Sequence, residues 1–143
     1  MSAQDNWRHK DIWSLDGKNF MIQVSRHSEP VRDESACYDS RGPHRWCVYA
    51  YIYPKHPHFA AFDGTETLFQ DAATALPLHC GPSLVRVHVS VEGKTNSVQV
   101  GADYNHLHDD HFTHVSDKDG ADEVFFDADR LFDWLSKTEA PNA

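Results

Sequence analysis

Leu84-Val85-Arg86-Val87-His88-Val89-Ser90-Val91-Glu92, with its return Ser97-Val98-Gln99-Val100-Gly101-Ala102-Asp103-Tyr104 after a turn at Gly93–Asn96, carries the cleanest periodicity in the chain. Side chains alternate across a strand, so Val85, Val87, Val89 and Val91 share one face and Arg86, His88, Ser90 and Glu92 share the other. The pattern predicts an antiparallel hairpin over 84–92 and 97–104 with one wet face. A sheet with one apolar face needs a cover. The stretch after Ser116 and Asp119, either of which can start a helix, supplies it. At helical spacing Val124, Phe125, Ala128, Leu131, Phe132, Trp134 and Leu135 fall on one side of 121–137, with Asp122, Asp129, Arg130 and Asp133 opposite and Phe126 alone among the polar groups.

Upstream, Phe20, Ile22 and Val24 alternate with Met21, Gln23 and Ser25, and the preceding Asp16-Gly17 pair predicts a tight hairpin turn. Residues 27–44 lose periodicity and read as a long loop. His44–Tyr53 has large side chains at both parities: Trp46, Val48, Ala50 and Ile52 against Cys47, Tyr49, Tyr51 and Tyr53. This predicts a central strand covered on both faces. The tyrosine stripe reads as core or as the interface of a homo-oligomer. Asp63 with Glu66, then Leu68, Phe69, Ala72, Ala75 and Leu76 up to Pro77, predicts one short additional helix. The expected architecture is therefore a single α+β domain over 1–143, an antiparallel sheet of four or five strands packed against a C-terminal amphipathic helix.

Composition narrows the function. The 143 residues are 40% hydrophobic and 12% aromatic, a composition that folds. No apolar run reaches the length of a membrane span and the first residues resemble no signal sequence, so a cytoplasmic protein is expected. Cys37, Cys47 and Cys80 form an odd set without CxxC spacing, which suits a reducing compartment. Of the net charge of −9, residues 101–143 carry −8. Without a basic patch, direct nucleic-acid binding is not expected. The acidic helix face instead offers Asp122, Glu123, Phe126, Asp129 and Asp133 to a protein partner with a basic surface.

The densest chemical constellation is His106-Leu107-His108-Asp109-Asp110-His111-Phe112-Thr113-His114. His106, His108, Asp110 and His111 match H-x-H-x-D-H and so resemble the metal-binding motif of metallo-β-lactamase-fold hydrolases. That family's remaining ligands lie in a long downstream half, whereas only 112–143 follows here, with His114 its sole histidine. These five residues nevertheless make a metal-dependent hydrolase, holding zinc or another divalent transition metal, the alternative reading. The favoured reading has no cofactor and uses the histidines to fix a loop. His56, His58, His79 and Cys80 lie in two other loops, and convergence of all three at one sheet end would gather histidines and carboxylates. Cys47 reads as core and Cys80 as a nucleophile only if His79 faces it. No nucleophile elbow, phosphate loop or dinucleotide motif is present.

The segments WSLDGKNFMIQVSRH, RWCVYAYIYPKHPHF, LPLHCGPS and VQVGADYNHLHDD resemble small uncharacterised proteins encoded by tailed phages and mobile elements. The resemblance implies a short accessory protein that acts by binding a host component, such as an inhibitor of a host defence protein. With no complete catalytic set in the chain, protein binding rather than catalysis is the expected mode of action.

Overall fold

Gly17 and Phe20 face one another across a two-residue turn, and the Phe20 ring lies where a side chain at position 17 would begin. The turn itself is Lys18-Asn19, with Asn19 in the left-handed region at φ 65°. It thus sits two residues beyond the expected Asp16-Gly17 pair. Asn tolerates that backbone conformation, and Gly17 serves as the close seat for an aromatic ring.

The computed structural model of the chain describes residues 7–9, 11–29, 42–105 and 109–138. Among the described residues six strands form one antiparallel sheet: β1 (Arg8–His9), β2 (Ile12–Gly17), β3 (Phe20–Ser28), β4 (His44–Ile52), β5 (Leu84–Val89) and β6 (Thr95–Asp103). Their order is β1-β2-β3-β4-β6-β5. The described residues also hold two α-helices, α1 (Asp71–Thr74) and α2 (Asp122–Lys137), and 3-10 turns at Phe59–Ala61 and Asp110–His114. The α+β class and the helix-covered sheet are as the periodicity predicts. The two-residue β1, too short to show alternation, is an added edge.

Register explains the core. Trp13, Val24, Val48 and Ala102 form one row across the sheet, and Leu15, Ile22, Ala50, Val100 and Val85 form the next. These rows face α2, whose Val124, Phe125, Ala128, Leu131 and Leu135 are buried. The Trp13 and Trp46 rings stack at 5.4 Å, and Phe125 meets Trp7, Trp13 and Trp46 edge-on.

Several expectations change. The short helix is confined to Asp71–Thr74, because 63–70 satisfies its polar groups in another way. Asp63 Oδ1 accepts bonds from the Thr65 amide and hydroxyl, and the Gln70 side chain bonds Asp63, Thr65 and Thr67. Local side-chain bonds of this kind compete with helix formation. Glu66 reaches instead to the edge strand, accepting the Val87 amide at 3.0 Å. β5 ends at Val89 beside a bulge, so Val89 and Val91 are exposed while Val85 is core. β3 continues to Ser28, which pairs with His44, so both ends of the expected 27–44 loop are sheet. Residues 30–41, with Cys37, lie outside the described residues. β4 is central as expected, but only its Trp46 face is covered by a helix among the described residues. The tyrosines on its other face are half-buried by their strand neighbours. α2 starts at Asp122, one residue after the expected 121, with Ala121 rather than Ser116 or Asp119 at its N-cap. Asp117 turns the chain there by accepting the Gly120 amide at 2.8 Å.

His56 and His58 lock the 53–62 loop to the C-terminal half of α2 and to α1. His56 Nε2 donates to the Leu135 carbonyl at 2.9 Å while its Nδ1 accepts the His58 amide, and His58 Nε2 donates to the Ala72 carbonyl at 2.7 Å. Burial holds the His58 pKa below 6.5, helped by the nearby His56 and opposed by the Ala72 bond. A histidine depressed in the folded state contributes stability above its unfolded pKa that is lost as pH falls toward the folded value. Stability measured by urea unfolding should therefore fall below about pH 6.5 more steeply for the wild type than for His58→Gln, whose amide keeps the bond to Ala72. Equal slopes would assign the acid sensitivity to other groups.

Candidate functional site

A helix places residues four apart on one ridge, so Asp122 with Phe126 and Glu123 with Asp127 form two adjacent ridges at the start of α2. Both border a cleft of 590 Å³ lined by His79, Asp122, Glu123, Phe126 and Asp127. Phe126 is 62% exposed, an unusual position for a phenylalanine surrounded by carboxylates. Asp122 and Glu123 also suit the positive end of the helix dipole.

The other described lining residue, His79, and its partner Asp109 come from two loops. The turn before β5 presents His79, and the start of the Asp110–His114 turn presents Asp109. His79 Nε2 lies 3.0 and 2.9 Å from the two Asp109 carboxylate oxygens. Asp109 is buried at 5% exposure, while the His79 side chain keeps 22%. The imidazole stacks on Tyr104 with ring centroids 4.3 Å apart and planes within 13°. Tyr104 in turn donates its hydroxyl to Asp127 Oδ2 at 2.6 Å. A continuous array, Asp109–His79–Tyr104–Asp127, thus joins loop, sheet end and helix beneath the cleft. Burial pushes the Tyr104 phenol far above its ordinary range, and Asp127, Asp109 and Glu123 push it further, so it stays a neutral donor in a field of negative sign.

The expected site residues divide. Asp122, Glu123 and Phe126 line the cleft, and Asp133 is exposed further along α2. Asp129 departs from the expected solvent-facing set: it is half-buried and accepts the Trp7 indole N–H at 3.3 Å. Burial raises its carboxyl pKa, the Trp7 bond offsets part of the rise, and Asp133 adds repulsion. Asp129 therefore anchors the Trp7 side chain against α2. His106 and His108 lie outside the described residues. Asp110, His111 and His114 sit on the 3-10 turn, where His111 packs on Phe112 at 3.9 Å and lies 4.0 Å from Glu123. Among the described residues no three His, Cys, Asp or Glu side chains converge in a manner that could hold a metal ion.

Two of the three histidine loops meet; the third, with His56 and His58, is bound at the other end of α2. Cys47 is buried, which raises its thiol pKa. Cys80 is exposed with φ 58°, and His79 directs its Nε2 to Asp109. Tyr104 and Asp127 were not singled out by sequence reasoning. The available signal was the i, i+4 relation of Asp127 to Glu123. Comparison of the chain with known protein families, curated proteins and solved structures finds no match.

Proposed function

We propose that this protein is a small accessory protein that acts by protein–protein binding, capturing a basic side chain of its partner in the cleft at the start of α2. The observation that carries this reading is the exposed Phe126 ring set among Asp122, Glu123 and Asp127. An aromatic face attracts an ammonium or guanidinium group, and flanking carboxylates complete the recognition of a lysine or arginine. The same chemistry recurs within the chain, where Lys118 Nζ sits 5.4 Å from the centre of the Phe125 ring. The His79–Asp109 pair and Tyr104 serve as a bonded floor that holds the cleft open, reducing the ordering cost on binding. The −8 carried by residues 101–143 speeds the encounter with a basic surface. Such a protein would act by occupying that surface, the role implied by the resemblance to phage and mobile-element proteins.

The test uses the full chain and a fluorescent lysine-rich peptide. Phe126→Ala and the double variant D122N/E123Q should each weaken binding about tenfold at low salt, whereas Asp133→Asn should change it little. Binding that ignores Phe126, or that falls equally with Asp133→Asn, would reduce the interaction to general charge attraction and remove the cleft. Metal analysis of untagged protein separates the hydrolase alternative: near-stoichiometric zinc lost with His106→Ala and His108→Ala would favour it.

A further inference from the structure

The sheet face turned away from α2 is aromatic, and its charges at Asp16, Arg45, Arg86 and Asp103 balance. Gly101 lies beneath Tyr49: a Cβ at 101 would overlap the Tyr49 ring and come within 2.6 Å of the Val48 carbonyl. Tyr49 therefore lies across the sheet. Tyr51 stacks on His88 at 6.0 Å, with planes 26° apart, and His88 bonds Gln99 Oε1 at 2.8 Å through Nε2. Gln99 and Ser97 are each buried to 7% exposure by the side chains beside them. These contacts fix a platform before anything binds, and rigid aromatic platforms are a recurrent feature of interface cores.

Register supplies the shape of the occupant. One row across this face reads Asp16, Met21, Tyr51, Gln99, Arg86, with Asp16 exposed at one end and Arg86 exposed at the other. A twofold axis lying in the interface along β4 exchanges the β2 side of one copy with the β5 side of the other. Asp16 then faces the partner's Arg86, and Arg86 faces the partner's Asp16. In the same operation Met21 meets the partner's Gln99, Gln23 meets the partner's Tyr49 ring where it lies over Gly101, and the tyrosines meet along the axis. The row is thus complementary to itself, which neither a nucleic acid nor an acidic or basic surface would match. With strands about 4.8 Å apart and about 3.3 Å per residue, the face spans ~500–700 Å² before side-chain relief is added. That is the scale of the ~800 Å² per partner of an ordinary specific interface.

We infer that the β2–β5 face of this sheet docks a second copy of the chain, forming a twofold dimer centred on Tyr49 and Tyr51 with Asp16 and Arg86 paired across it. The inference is independent of the cleft at α2, which lies on the other side of the sheet. Sedimentation equilibrium of the full chain over a range of concentrations should show a monomer–dimer equilibrium. D16R and R86D should each raise the dissociation constant by about tenfold or more, because like charges then meet twice per dimer. An equimolar mixture of the two variants should restore association near the wild-type level, since every contact in the mixed dimer again joins opposite charges. Circular dichroism of each variant alone establishes that it is folded. A wild type that stays monomeric throughout overturns the inference, as does a dimer indifferent to both substitutions or a mixture that fails to restore it. A monomer that retains a single-stranded oligonucleotide through Tyr49 and Tyr51 would overturn it in favour of nucleic acid.

Discussion

Replacing Phe125 by alanine should lower the unfolding free energy by about 3–5 kcal/mol, the range for truncating a buried aromatic side chain. The residue is fully buried and its ring stands edge-on to Trp7, Trp13 and Trp46, so truncation removes three ring contacts and opens a cavity among side chains from three separate parts of the chain. Those indoles cannot simply collapse into the space. Trp46 is tied to the Val115 carbonyl at 3.0 Å and Trp7 to Asp129. Against a typical total stability of about 5–15 kcal/mol, such a loss brings the protein close to its threshold. Urea unfolding followed by tryptophan fluorescence measures the change, and a loss below about 1 kcal/mol would mean that the cluster repacks freely.

Gly101→Ala should cost about 1–3 kcal/mol even though it adds only one methyl group. Its added carbon would meet the Tyr49 ring and the Val48 carbonyl at 2.6 Å, and the carbonyl belongs to the backbone of the central strand. A flexible side chain could yield, but a paired strand cannot without loosening its ladder. The second effect is on Tyr49, which must lift from the sheet. Chemical denaturation gives the stability change, and the tyrosine near-ultraviolet dichroism reports the ring. An unchanged midpoint would show that β4 and β6 can separate locally at no cost.

The parts of the fold legible in the sequence are those where one physical signal acts alone. Val85, Val98 and Val100 alternate because a single face of their hairpin meets the apolar core under α2, and Val124, Phe125, Ala128, Leu131 and Leu135 recur because one helix face does. Legibility fails where side chains take up the backbone's bonding groups or where packing dictates a residue. Asp63, Thr65 and Gln70 form a bonded loop from letters that also suit a helix start. Gly17 is there for Phe20, and the turn passes to Asn19.

The candidate site follows the same rule. Asp122, Glu123 and Phe126 stood out because charge and an isolated aromatic on one helix are local features. The pairing of His79 with Asp109, 30 residues apart, depends on where the β5–β6 hairpin returns the chain. No spacing announces it. Asp129 was misplaced because its exposure is decided by Trp7, 122 residues away in sequence.

The strand order also carries a kinetic consequence. Pairs β2–β3 and β5–β6 join neighbours in sequence, but β4 and β6 meet only after the segment between residues 52 and 98 has closed on itself. Loop-closure entropy must be spent there before any bond of that seam forms, and non-local pairing of this kind slows folding. The topology therefore divides the sheet into two pieces of local pairing, β1–β4 and the β5–β6 hairpin, and the β4–β6 seam that joins them should form last. Until then the Val48 and Val100 edges of the two pieces are open to pairing with another molecule, so the interval before the seam closes is when a crowded solution most threatens the yield of native protein.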